Sequence, residues 1–240
     1  ANILFTSSST HFDVYERGYI AVDECGIIQG VYDHTLPEDL AYDQLVDFGD
    51  KLLIPAMNDM HVHAPQLGNM GIAMDMQLLP WLNTYIFPEE TKFADEAYAE
   101  TIYHSFVSEL WRHGTMRAAV FATVHTPATH ILARAFNEAG MGALIGLVGM
   151  DRHTPATLCN TPAEWAAGMQ ALIESLASMP LVKPIITPRF IPSCTPEMLR
   201  CMGEMAKQTL LPVQSHLSEN QQEIAWVHEL EPEATCYGDA

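Results

Sequence analysis

No two of the five cysteines form a C-x-x-C pair. Cys25, Cys159, Cys194, Cys201 and Cys236 are odd in number and scattered. That excludes a zinc ribbon or thioredoxin-type motif, and it predicts reduced thiols in a cytoplasmic protein. Long apolar runs are missing too: none approaches the roughly 18 residues that span a bilayer. Residues 1–13 lack the basic region and apolar stretch of a signal peptide. Basic side chains are scarce, with 11 Lys+Arg against 30 Asp+Glu and a net charge of −19. Such acidity repels nucleic-acid phosphates and anionic membranes, so the expected partner is a small molecule. No Gly-rich dinucleotide loop follows any predicted strand, which argues against an open nucleotide-binding sheet.

What is present is an ordinary globular balance, 48% hydrophobic and 17% charged over 240 residues, enough to bury a sizeable core. Residues 1–52 read as β structure. Tyr19 to Tyr32 holds two β-rich runs around a Glu24–Gly26 turn, a hairpin signal. From Leu52 the character changes to short apolar runs alternating with segments of helical period. Strands are predicted at Leu52–Met57 (running on to His61 and His63), Ala118–Val124, Ala143–Val148, Val182–Thr187 and Leu211–Ser215. Helices are predicted at Asp95–His113, Pro127–Ala139, Ala163–Ser178, Pro196–Lys207 and Gln221–Leu230. Gly114 and Gly140 stop two of them, and Thr161 and Pro162 start a third. This rhythm predicts an α/β fold of right-handed βαβ units with a parallel sheet. Five strand–helix units in the 188 residues of 53–240 amount to five-eighths of a (β/α)₈ barrel behind a small β segment.

Three features carry chemistry. His61 and His63 stand at i and i+2 at the end of a predicted strand, so both imidazoles face one side and can share a metal such as zinc. His216 also ends a predicted strand, at the face where barrels build their sites. Glu219 follows three residues later, on the same face if a helix begins there. Arg189 ends the fourth strand, where its guanidinium can serve a polar planar ligand with the ring of Phe190 available to pack beside it. His125 ends the second strand and is a weaker candidate for the pocket. His153 lies in a loop that could cover the site. Trp81 and Tyr85, four apart, are candidates for a pocket wall.

Pro55-x-x-x-Asp59-x-His61-x-His63 resembles the first-strand signature of the amidohydrolase superfamily. His61-Val-His-Ala-Pro-Gln66 and Leu79-Pro-Trp-Leu-Asn-Thr-Tyr-Ile-Phe-Pro-Glu-Glu90 are similar to its guanine deaminase branch. So are Phe121-Ala-Thr-Val-His125-Thr126, Met150-Asp-Arg152, Thr187-Pro-Arg-Phe190 and Gln214-Ser-His-Leu-Ser-Glu-Asn220. These blocks occur in family order across residues 52–240. Ala56, Asn58, Met116 and Arg117 depart from the pattern, and none is a proposed ligand. The resemblance implies a (β/α)₈ barrel from 53–240 and, from 1–52, part of a small β-sandwich domain. It implies one zinc, with iron as the alternative, held by His61, His63 and His216. It further implies purine contacts from Gln66, Arg189, Phe190 and His216, with Glu219 moving protons as guanine becomes xanthine and ammonia. A homodimer is common in such enzymes.

Two-metal relatives need a bridging lysine at the end of the fourth strand. Arg189 stands there, and Lys183 lies at the strand's other end, which favours one metal. Cytidine-type deaminases carry P-C-x-x-C, absent here. The remaining alternatives are another mononuclear aminopurine or cyclic-amidine deaminase and a non-catalytic barrel. The family pattern also expects a histidine after the sixth strand and a metal-binding aspartate after the eighth, in segments outside these 240 residues. The expectation is therefore that the chain is part of a longer enzyme and, alone, is unstable or inactive with open sheet edges.

Overall fold

Turn chemistry organises the first fifty residues. In the computed structural model, which describes Ala1–Ala240, strand β1 (Asn2–Ser8) pairs antiparallel with β2 (His11–Tyr15). Strands β3 (Tyr19–Val22) and β4 (Ile28–Tyr32) form the expected hairpin. The Asp23 carboxylate closes its turn by accepting the N–H groups of Cys25 at 2.9 Å and Ile27 at 2.8 Å. Gly26 takes φ +80°, left-handed backbone that a side chain resists. Strand β5 (Leu52–Leu53) then runs parallel to β1. These two small sheets make up the first of two units, Ala1–Ala56; the second is Met57–Ala240. The division falls just after Pro55, which has no N–H with which to continue a ladder.

Leu52–Met57 is thus not one buried strand. Leu52, Ile54 and Met57 are 57%, 55% and 59% exposed, and the run is broken between β5 and β6 (Met57–His63). β6 opens a parallel sheet whose next members are β7 (Thr115–Phe121), β8 (Gly142–Gly146) and, after the two-residue β9 (Val148–Gly149), β10 (Val182–Pro184). β9 pairs in parallel with β11 (Thr187–Pro188), continuing the wall past a break in each strand. The fifth predicted strand, Leu211–Ser215, is absent as such. It keeps only a parallel bridge, Ile186 to Val213. Pro212 brings no N–H to a ladder there, while Ser215 and His216 both donate to the carbonyl of Arg189. β7 begins and ends three residues before the predicted Ala118–Val124, because Thr123 starts the turn whose side chain accepts the N–H of His125 at 3.1 Å. The parallel strands with intervening helices are units of a (β/α)₈ barrel wall, five positions of which are present.

The helices follow their caps. Short α1 (Leu78–Trp81) continues through a π-turn at Leu82–Ile86 into α2 (Phe87–Thr91), a segment not foreseen from periodicity. α3 (Glu96–Arg112) starts at Asp95, whose carboxylate accepts from Ala97 and Tyr98. α4 spans Thr126–Glu138. α5 (Pro162–Leu176) starts in a capping box between Thr161 and Glu164, α6 spans Pro196–Thr209, and α7 (Gln221–Leu230) starts in a second box between Asn220 and Glu223. Their apolar faces meet the sheet in one core containing Tyr103, Phe106, Leu132, Phe136, Ile145, Leu147, Trp165 and Met202. Trp165 is fully buried and donates its indole N–H to the Leu147 carbonyl at 3.1 Å, satisfying its one polar atom. None of the helices is long and apolar enough to cross a membrane, and all five cysteines are free.

Candidate active site

β6 delivers His61 and His63 to one side of its end, as period-two geometry requires. The segment after α6 brings His216 to them from 153 residues further on, so that the ring nitrogens of His63 and His216 lie 2.8 Å apart. One ring nitrogen from each of the three histidines lies within 4.8 Å of the others. Phe121, at the end of β7, forms the floor beneath all three, with its ring centroid 5.0 Å from His61, 4.6 Å from His63 and 4.5 Å from His216.

The tautomer of His216 follows from its neighbour. Its Nδ1 lies 2.6 Å from the Arg189 carbonyl oxygen, which can only accept, so Nδ1 carries the hydrogen and Nε2 offers a lone pair. Burial lowers the His216 pKa to about 4, the Arg189 carbonyl working against that shift and the nearby cationic charges with it. His63 is held well below the usual imidazole range, first by burial and then by the charge of Arg189. Both rings are therefore neutral near pH 7. His63 Nδ1 is buried with no partner, so its ring is not committed to a hydrogen bond elsewhere. Imidazole nitrogens that converge as lone pairs fit a divalent cation of the zinc type.

Arg189 follows β11 and is 2% exposed. Its Nη1 donates to Glu90 Oε2 at 2.6 Å, an ion pair in which Glu90 is fully buried. The guanidinium carbon stands 5.5 Å from the centre of the Phe87 ring. α2 is fixed from its other side, where Glu89 accepts from Lys92 at 2.6 Å and from Tyr98. Gly68 lets that helix come close, since a Cβ there would meet Glu89 Oε1 at 2.9 Å. Glu219 stands exposed at the cavity mouth. Desolvation by the cavity wall and then the charge of Glu223 raise its carboxyl above the usual range. Buried Glu223 accepts the N–H groups of Glu219 at 2.8 Å and Asn220 at 3.1 Å, and a hydrogen bond from Tyr237. Asn220 donates to Gln77 at 2.9 Å, joining this turn to the start of α1.

These groups surround one cavity of about 450 Å³, within the range of small-molecule sites. His61, His63, Gln66, Arg189, Phe190, His216 and Glu219 all line it, and Trp81, Leu82 and Met74 supply apolar wall. Tyr85 and His125 are not among its lining. His153 lies against Trp226 beside a smaller cavity of about 240 Å³ that shares Leu82 and Phe190 with the first. Lys183 is exposed in β10, away from the histidines. Near the C-terminus, Asp239 is occupied in a local turn, accepting from Thr235. Sequence reasoning missed Glu90 and Glu223. The signal for each was an acidic residue at a helix start, which reads most simply as a response to the helix dipole.

The amidohydrolase family model matches residues 52–237. The chain is 36% identical to a guanine deaminase of Dictyostelium discoideum over 242 residues, 94% of this chain and 54% of that protein. It is 39% identical to a probable guanine deaminase of Schizosaccharomyces pombe over 196 residues, 79% of this chain and 37% of that one. Among solved structures, the crystal structure of guanine deaminase from C. acetobutylicum with bound guanine in the active site superposes with a TM-score of 0.95. It is 40% identical, over 99% of this chain and 57% of that chain. This chain thus spans about half the length, or less, of the relatives it matches.

Proposed function

Since this chain belongs to the amidohydrolase family, we propose that the intact protein is a guanine deaminase, converting guanine and water to xanthine and ammonia. The observation that carries the reading is the single cavity in which three convergent histidines, Arg189 and Glu219 meet. His61, His63 and His216 hold one zinc ion. When bound, zinc supplies a Lewis acid that lowers the pKa of a water from 15.7 to roughly 7. Arg189 donates to the purine carbonyl with a guanidinium that is fixed before substrate arrives. Gln66 offers an amide donor and acceptor to the purine edge, and the Phe190 ring packs against the base. As oxygen adds to the amino-bearing carbon, a proton must travel from water to a ring nitrogen and then to the departing amine. Glu219 carries that proton. Its raised pKa brings it nearer the working pH, where a carboxylate both accepts and returns a proton more readily.

Glu219→Gln tests the assignment. Removing the shuttle lowers kcat on guanine by about 10²–10⁴-fold, while the metal content stays at one per chain. Turnover at the wild-type rate would remove Glu219 from the mechanism, and two tightly held metals per chain would remove the mononuclear site.

A further inference from the structure

The ion pair beneath the cavity wall has features that its role in the fold does not explain. Glu90 is 0% exposed and Arg189 2%. A pair taken this far from water pays a large desolvation cost, and hydrophobic residues of similar size are often at least as stable. The pair is also incomplete. Glu90 Oε2 accepts from Arg189 Nη1, while Glu90 Oε1 is buried without a partner. No protein acceptor takes Arg189 Nε or Nη2, and Arg189 lines the cavity that holds the three histidines. One prong of the fork is held from behind and the other donors stay free.

The charge balance points the same way. Arg189 lines the same cavity as the three histidines, so its cation faces the site proposed to hold a second cation. The Glu90 carboxylate offsets that cation at 2.6 Å. It is also supplied by a separately anchored element, α2, which Glu89, Lys92 and Tyr98 fix on its outer side. The guanidinium is thus held between Glu90 on one edge and the Phe87 ring 5.5 Å away, both from the same helix.

Resting on the reading of Arg189 as the donor to the purine carbonyl, we infer that Glu90 is a positioning residue that sets selectivity for a 6-oxopurine. It aims the free guanidinium N–H groups at the oxo oxygen and keeps them from swinging elsewhere. A site built to donate to an oxygen discriminates strongly against a ligand lacking that oxygen, because its donors are then left unpaired. Glu90 makes no contact with substrate in this arrangement; it acts through Arg189.

The probes are guanine and 2-aminopurine, which lacks the oxo group and, with it, the hydrogen on N1. That N1 difference is common to wild type and variants, so the change in ratio reads the oxo contact. Their dissociation constants are measured on the intact, metal-replete protein and on Glu90→Gln and Glu90→Asp. The preference for guanine over 2-aminopurine is expected to fall at least tenfold in Glu90→Gln, with Glu90→Asp, which keeps the charge but shortens the reach, in between. A merely structural role would weaken both ligands equally, so an unchanged ratio in folded Glu90→Gln overturns the inference. Should Glu90→Gln fail to fold, Glu90→Asp decides, with a ratio within twofold of wild type counting against it. Wild-type protein that releases no ammonia from guanine would overturn the parent reading; guanine turnover with an unchanged ratio would overturn only the role of Glu90.

Discussion

Burial decides protonation at the histidines. In the folded chain the pKa of His216 is lowered from 6.5 to about 4 and that of His63 lies well below its usual value. In the unfolded chain both titrate normally. Between about pH 4 and 6.5 the unfolded state binds more protons, so the stability of the metal-free protein rises with pH across that window. For His216 alone the effect is on the order of 3 kcal/mol at the acid end. Melting temperatures of chelator-treated protein should fall as the pH is taken from 7 to 4.5, and His216→Gln should flatten the curve. An identical slope in that variant would show that His216 is not held neutral by the fold. Individual residues were legible where their partners are close in sequence: His61 and His63 share a strand end and announce themselves. Glu90 did not, because its partner lies 99 residues away. Nothing local distinguishes a buried acid from a solvated one at a helix start.

Elements were legible where side chains cap them. α7 has the bounds predicted, Gln221–Leu230, and α5 starts at Thr161 as expected, because both carry a capping box. Strand ends were less legible, since hydrogen bonds from other segments set them. The β8 to β9 break and the loss of the Leu211–Ser215 strand both depend on donors aimed at neighbouring carbonyls. The π-turn at Leu82–Ile86 has no periodic signature, and buried Asn69 joins it from outside by donating to the Tyr85 carbonyl at 2.8 Å. Gly146, at the end of β8, shows how tight this packing is. A Cβ there would meet Thr187 Oγ1 at 2.0 Å and Gln214 Nε2 at 2.6 Å. Both atoms are committed, since Gln214 donates to Thr187 at 3.0 Å and to the Val120 carbonyl at 3.2 Å. Gly146→Ala should therefore cost about 1–3 kcal/mol and weaken metal binding, since Gln214 is two residues before His216. Gly203 in α6 has nothing within 4 Å of its Cβ position, so Gly203→Ala should be neutral or stabilise by up to about 1 kcal/mol. Urea denaturation of the pair checks this, and equal effects would contradict it.

At the scale of the whole molecule, the charge of −19 and a cavity of about 450 Å³ fit the small-molecule substrate proposed. The acidic surface disfavours polyanions, while Arg189 lines the cavity with its charge paired to Glu90. The barrel class was legible because strand and helix periods alternate at βαβ rhythm. The cavity was legible only in part, because its walls come from six segments that the fold alone assembles. The chemistry proposed for that cavity is read most directly by one measurement: ammonia and xanthine released from guanine by the intact protein, before and after chelation and zinc restoration. Equimolar ammonia and xanthine are expected, lost on chelation and recovered with about one zinc per chain. Zinc-replete protein that binds one metal yet releases neither product would contradict it.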